Sequence, residues 1–168
     1  MEKFTVAILV NNQFGVLNRV TSMFRRRQFN ISSLTVSETE SAQFSRITIQ
    51  SEGEDTANQQ LINQLYKLPD VRSVVELKPD NTVHRELLLI KVANDPATRG
   101  DIRAASDAYE GKIIDYTKES LIIQMVGDSR KIDNFVNLMR DFPILEICRT
   151  GVVSLERGAT TIEKVTLF

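Results

Sequence analysis

The sequence predicts an α+β fold of two βαββαβ domains in tandem, and three observations lead there. Apolar residues switch between a strand-like and a helix-like period in the same order in both halves. A polar, breaker-rich stretch separates the halves. Gly53 and Gly127, and Pro69 and Pro143, stand at one separation of 74 residues, and Ile49-Gln50 is echoed by Ile123-Gln124 at the same offset, the mark of an internal structural repeat.

Each element has its own justification. Phe4, Val6, Ile8 and Val10 alternate with Thr5, Ala7 and Leu9, which describes a strand apolar on both faces and therefore central in its sheet. Beyond a turn, Val16, Leu17, Val20, Met23 and Phe24 form the stripe of an amphipathic helix ending near Arg27. Residues 31–38 and 43–51 read as the two strands of a hairpin, joined by the turn Glu38-Thr39-Glu40-Ser41-Ala42. Asp55 reads as the N-cap of a helix carrying Leu61, Ile62, Leu65 and Leu68; Pro69 stops it, because the residue before a proline disfavours helical backbone. Residues 71–77 are the fourth strand.

The second copy follows as strand 85–92, helix 100–109, strands 112–116 and 120–125, helix 129–140 and strand 144–153. The division is a first domain over 1–78, a linker over 79–84 containing Pro79, Asp80 and Asn81, a second domain over 85–158 and a tail over 159–168. In each domain an antiparallel sheet carries two helices on one face, the split βαβ or ferredoxin-like arrangement. The other face needs a partner, so a homodimer is expected.

Composition narrows the function. With 21 basic against 22 acidic side chains and a net charge of −1, the electrostatic case for a nucleic acid or an anionic membrane as partner falls away. The longest apolar run, over 6–10, is far below the roughly 18 residues of a membrane span, and no signal-length apolar core follows the N-terminus. The single cysteine, Cys148, permits no intrachain disulfide and suits a reducing compartment; a cytoplasmic location is expected.

Catalytic candidates are scarce. His84 is the only histidine and reads as a solvated linker residue. Without a Cys-x-x-Cys pair or a phosphate-cradling glycine pattern, no metal, no cofactor and no catalytic site of the chain's own is expected. Cys148 lies in an apolar strand and reads as an inert core residue. Arg25-Arg26-Arg27 sits in a last helical turn, where cations meet the helix dipole favourably.

The loop Asn11-Asn12-Gln13-Phe14-Gly15 supports two readings. A helix N-terminus leaves backbone N–H groups unpaired and carries partial positive charge, a natural seat for a carboxylate. Gly15 permits close approach to the backbone, and the amide of Asn12 both donates and accepts, so it can serve either end of a zwitterion. Asn30 comes near the far end of the same helix or near the equivalent loop of a dimer mate, with Ile31 as an apolar wall. The alternative is that Asn12 caps the helix and Asn30 takes a left-handed turn conformation.

The segment from Val10 through Gly15 to Val20, followed by Phe29-Asn30-Ile31-Ser32-Ser33-Leu34-Thr35-Val36, resembles the ACT domain of the small, regulatory subunit of acetolactate synthase. Arg85-Glu86-Leu87, Gly111-Lys112-Ile113-Ile114-Asp115 and Arg149-Thr150-Gly151-Val152-Val153-Ser154-Leu155 resemble the second domain of that subunit, so the likeness spans about residues 1–158. The resemblance implies a large catalytic subunit as partner, carrying thiamine diphosphate, a magnesium ion and FAD. It also implies a homodimer through the ACT domains and feedback inhibition by valine or another branched-chain amino acid. By position, Asn12, Gly15, Val16 and Leu17 of one chain and Asn30 and Ile31 of the other would line the effector site. Phe14 is bulkier than the small polar residue often found in the family's loop. The competing class, an amino-acid-responsive transcriptional regulator, also uses βαββαβ dimers, but the sequence contains no basic helix-turn-helix.

Overall fold

The structure, a computed structural model, describes residues 2–164, so the last four residues of the expected tail lie outside the described part. It divides into two compact units: residues 2–83 with those from 151 onward form unit 1, and His84–Thr150 form unit 2.

Unit 1 runs β1 (Glu2–Asn11), α1 (Val16–Arg26), β2 (Ile31–Glu38), β3 (Phe44–Gly53), α2 (Asp55–Leu65) and β4 (Val71–Glu76). Its sheet has the order β2-β3-β1-β4, with every neighbouring pair antiparallel. The two-faced apolar β1 is central, as its pattern requires. Phe4, Val6, Ile8 and Val10 meet Ile47 and Ile49 of β3, Val20 and Phe24 of α1, and Leu61 and Leu65 of α2. Each of these buried side chains contributes about 1.5–3 kcal/mol. Between Leu9 and Val10 the pairing of β1 with β4 shifts register at a bulge, and the Tyr66 hydroxyl donates to the Val74 carbonyl at 2.6 Å and accepts from the Val74 N–H at 2.9 Å.

Unit 2 repeats the plan with β5 (Thr82–Ala93), α3 (Arg99–Ala108), β6 (Lys112–Tyr116), β7 (Ser120–Gly127), α4 (Ser129–Met139) and β8 (Ile144–Arg149), in the order β6-β7-β5-β8. Its core joins Leu88, Ile90 and Val92 to Leu121, Ile123 and Met125, with Ile102, Ile132, Phe135 and Met139 from the helices. The buried carboxylate of Glu86 accepts from Ser129 and Arg149, and Arg149 reaches Asp133 at 2.7 Å, tying β5, β8 and α4 together. Burial opposes the Arg149 charge, but its two carboxylate partners outweigh that and raise its pKa.

Several expectations are corrected. Within the expected linker 79–84, Pro79–Asn81 form a 3-10 turn and β5 begins at Thr82, which is buried, rather than at Arg85. His84 is accordingly half-buried within β5, and desolvation, aided by the Arg85 charge, lowers its pKa. Asp55 is the first residue of α2, while Glu54 takes the cap position without a side-chain bond. Leu17, at the edge of the helical stripe, is exposed. Cys148 is exposed as well, because β8 is an edge strand and Cys148 lies opposite Leu89, off the helix-covered face.

The expected strand 144–153 breaks into β8 and a short β9 (Val153–Glu156). Gly151 is the reason: a Cβ there would stand 2.4 Å from the Thr35 hydroxyl and 2.6 Å from the Leu34 carbonyl, so the chain passes β2 more closely than any side chain permits. Val152 then donates its N–H to the Ser33 hydroxyl at 2.9 Å, and Arg46 donates to the Ser154 carbonyl at 2.7 Å. A final 3-10 turn (Ile162–Lys164) sets Ile162 against Ala7, Val75 and Leu77, on the sheet face opposite the helices.

Candidate functional site

The loop between β1 and α1 is fixed from both sides. Asn11 donates its backbone N–H to the Asp70 carbonyl at 2.8 Å, and Arg72 donates to the Asn11 side-chain oxygen at 2.9 Å. Arg19, one turn into α1, pairs with the mostly buried carboxylate of Asp70 at 2.5 Å. On the other side, Asn12 donates its N–H to the Gln43 carbonyl at 2.8 Å, and its amide donates to Glu38 Oε1 at 2.9 Å and to the Ala42 carbonyl at 3.0 Å.

Asn12 therefore does not cap the helix. Gly15 occupies the cap position at φ 80°, a left-handed conformation open to glycine, and α1 has no side-chain cap. The N–H groups of Phe14, Gly15, Leu17 and Asn18 meet no acceptor among the described residues. They point out of the helix start with its partial positive charge, a suitable environment for a carboxylate. Val16 is buried, while Leu17 and the fully exposed Phe14 leave apolar surface beside the opening.

Asn30 and Ile31 lie elsewhere. Ile31 pairs with Ser51, which pairs with Phe4, whereas Asn11 pairs with Phe44. Phe4 and Asn11 are separated along β1 by about 23 Å at the rise of an extended strand. One chain thus holds its candidate residues as two groups at opposite ends of the sheet. Asn30 is exposed, accepts from the Ser51 hydroxyl at 2.6 Å through its backbone carbonyl, and is not left-handed; Gln28 takes the positive φ at that turn.

The sequence reading missed Arg19, Glu38, Asp70 and Arg72. Their partners are 26 to 61 residues away, and no local pattern marks them. Among the described residues no group of three or more His, Cys, Asp or Glu side chains is placed to hold a metal, and no helix is long and apolar enough to cross a membrane.

Fold and loop together define a tandem ferredoxin-like protein whose first domain is of the ACT type. The family model for an AHAS small subunit-like ACT domain matches residues 6–73, and the model for the small subunit of acetolactate synthase matches residues 85–158. The chain belongs to the acetolactate synthase small-subunit family. It is 45% identical to a probable acetolactate synthase small subunit of Archaeoglobus fulgidus, over 93% of this chain and 98% of that one. To the acetolactate synthase small subunit of Bacillus subtilis it is 39% identical, over 93% and 91%. The crystal structure of the Thermotoga maritima small subunit superposes with a TM-score of 0.88 at 38% identity, covering 95% of this chain and all of that one.

Proposed function

We propose that this chain is a regulatory subunit of branched-chain amino-acid synthesis, which binds the large catalytic subunit of acetolactate synthase, raises its activity and confers feedback inhibition by valine. Family membership supports the regulatory role. The placement of the two half-sites carries the effector reading. β2 is an edge strand whose outer side has no neighbour in the sheet, and Leu34 and Val36 on it are 37% and 43% exposed. Two copies of β2 paired antiparallel about a two-fold axis bring Ile31 of one chain opposite Glu38 of the other, and with it Asn30 beside the partner's Asn12-to-Leu17 loop.

In the assembled site the unpaired N–H groups at the α1 start take the carboxylate, the amides of Asn12 and Asn30 take the ammonium, and Val16, Leu17 and Ile31 surround the aliphatic group. The effector then bridges two chains and favours the arrangement in which the catalytic partner is slowed. Such couplings are typically about 1–3 kcal/mol, so a modest preference for one arrangement is enough. The cofactors of the chemistry, thiamine diphosphate, magnesium and FAD, belong to the partner.

The deciding experiment mixes this chain with a large subunit and follows acetolactate formation with and without valine. Activation on mixing and its reversal by valine are the expected results. An unchanged rate on mixing removes the partner assignment, and activation insensitive to every branched-chain amino acid removes the effector assignment.

A further inference from the structure

The bond between Asn12 and Glu38 restricts what the effector site accepts. Both N–H bonds of the Asn12 amide are used within the chain, one by Glu38 Oε1 and one by the Ala42 carbonyl, and two acceptors fix the orientation of the amide. Asn12 can therefore offer a ligand only its oxygen. Glu38 is exposed, lies on the same sheet face as Leu34 and Val36, and has its second carboxylate oxygen free of protein partners among the described residues. The Asn12 oxygen and the second Glu38 carboxylate oxygen thus stand as acceptors at this edge, while unpaired N–H groups gather at the helix start.

We propose that Glu38 is the residue that selects for the ammonium group of the effector, so that the site takes an α-amino acid and refuses the 2-oxo acid with the same side chain. This rests on the effector reading above. An ammonium supplies protons to both acceptors. A ketone carbonyl at the same place would set a third acceptor against a carboxylate and an amide oxygen, leaving all of them desolvated and unpaired. Glu38 also stands where β2 pairing would bring Asn30 of the partner, so it contacts both halves of the site.

Calorimetry of valine and of 3-methyl-2-oxobutanoate on the full chain tests this, with Glu38→Gln beside the unaltered protein. Glu38→Gln keeps an oxygen for Asn12 and removes the charge. Valine affinity is expected to fall roughly tenfold to a hundredfold, the loss of one charge-assisted hydrogen bond, while the 2-oxo acid binds at least as tightly as before, because the carboxylate that opposed its carbonyl is gone. Glu38→Ala, at an exposed position, repeats the comparison without an amide, and melting curves report on folding.

Valine bound by Glu38→Gln as tightly as by the unaltered protein overturns the Glu38 assignment and leaves the site intact. Equal loss of both ligands also overturns it, because Glu38 would then act only by holding the loop. Absence of valine binding to the unaltered protein overturns the site itself.

Discussion

Arg19 and Asp70 form an ion pair at 2.5 Å that joins the first turns of α1 to the turn leading into β4, and the backbone carbonyl of the same Asp70 holds the N–H of Asn11. The loop between β1 and α1 is therefore anchored through one aspartate by both its side chain and its main chain. Asp70→Asn keeps the shape and removes the charge. With Arg19 nearly half exposed, the expected stability loss is about 1 kcal/mol, read as a lower urea midpoint, together with weaker valine binding. Full valine affinity in Asp70→Asn would show that the loop is held without this pair.

A site shared between two chains predicts complementation. Asn12→Ala alone and Asn30→Ala alone should each lose valine inhibition while still activating the catalytic subunit. A mixed dimer of the two carries one doubly altered site and one intact site, so statistical exchange of equal amounts should restore about a quarter of the binding stoichiometry. No recovery after subunit exchange would place both asparagines in the same site of one chain, against the roughly 23 Å that separates their strand ends.

Leu34 lies near the middle of β2, where two copies would cross. Leu34→Lys brings an ammonium group from each chain close to the axis and removes apolar contact, so light scattering should show a shift toward monomer and calorimetry a loss of valine binding. A dimer of unchanged affinity would move the interface to another surface.

Gly151 tests the covering of the first sheet by the C-terminal segment. A methyl group there meets Leu34 backbone at 2.6 Å, which cannot give as a flexible side chain can. Gly151→Ala should cost about 1–3 kcal/mol, seen as an earlier melting transition. An unaltered transition would mean that the segment can shift without loss.

His84 is the only histidine, so its titration is separable from others of its kind. Burial lowers its pKa in the folded chain below the ordinary value of 6.5, so the unfolded chain binds the proton more readily. Stability from this group is present above about pH 6.5 and is lost as pH falls through the lower folded value. The midpoint of urea unfolding should fall between pH 7.5 and pH 5.5, and His84→Gln should flatten that part of the profile.

Much of this molecule is legible without coordinates, because periodicity is a local property. The apolar alternation of Phe4 to Val10 puts β1 at the centre of its sheet, and the spacing of Val16, Val20 and Phe24 sets the buried stripe of α1. Element ends other than those of α2, β5 and β8 agree within two residues. Boundaries that depend on packing read less well. Nothing around Thr82 or Gly151 announces that a polar stretch joins a strand or that a strand must break to pass β2.

The sequence by itself determined the twofold βαββαβ plan, the near-neutral charge balance and the place of the Asn12-to-Gly15 loop before α1, since these depend on residue order and composition. Tertiary structure decided the rest. It turned Asn12 from a helix cap into a donor committed to Glu38 and Ala42, brought Asp70 and Arg72 behind the loop, and set Asn30 at the opposite end of the sheet. The physical reason is that hydrogen bonds between residues 26 to 61 positions apart exist only once the strands are in register, and register is fixed by which faces are buried.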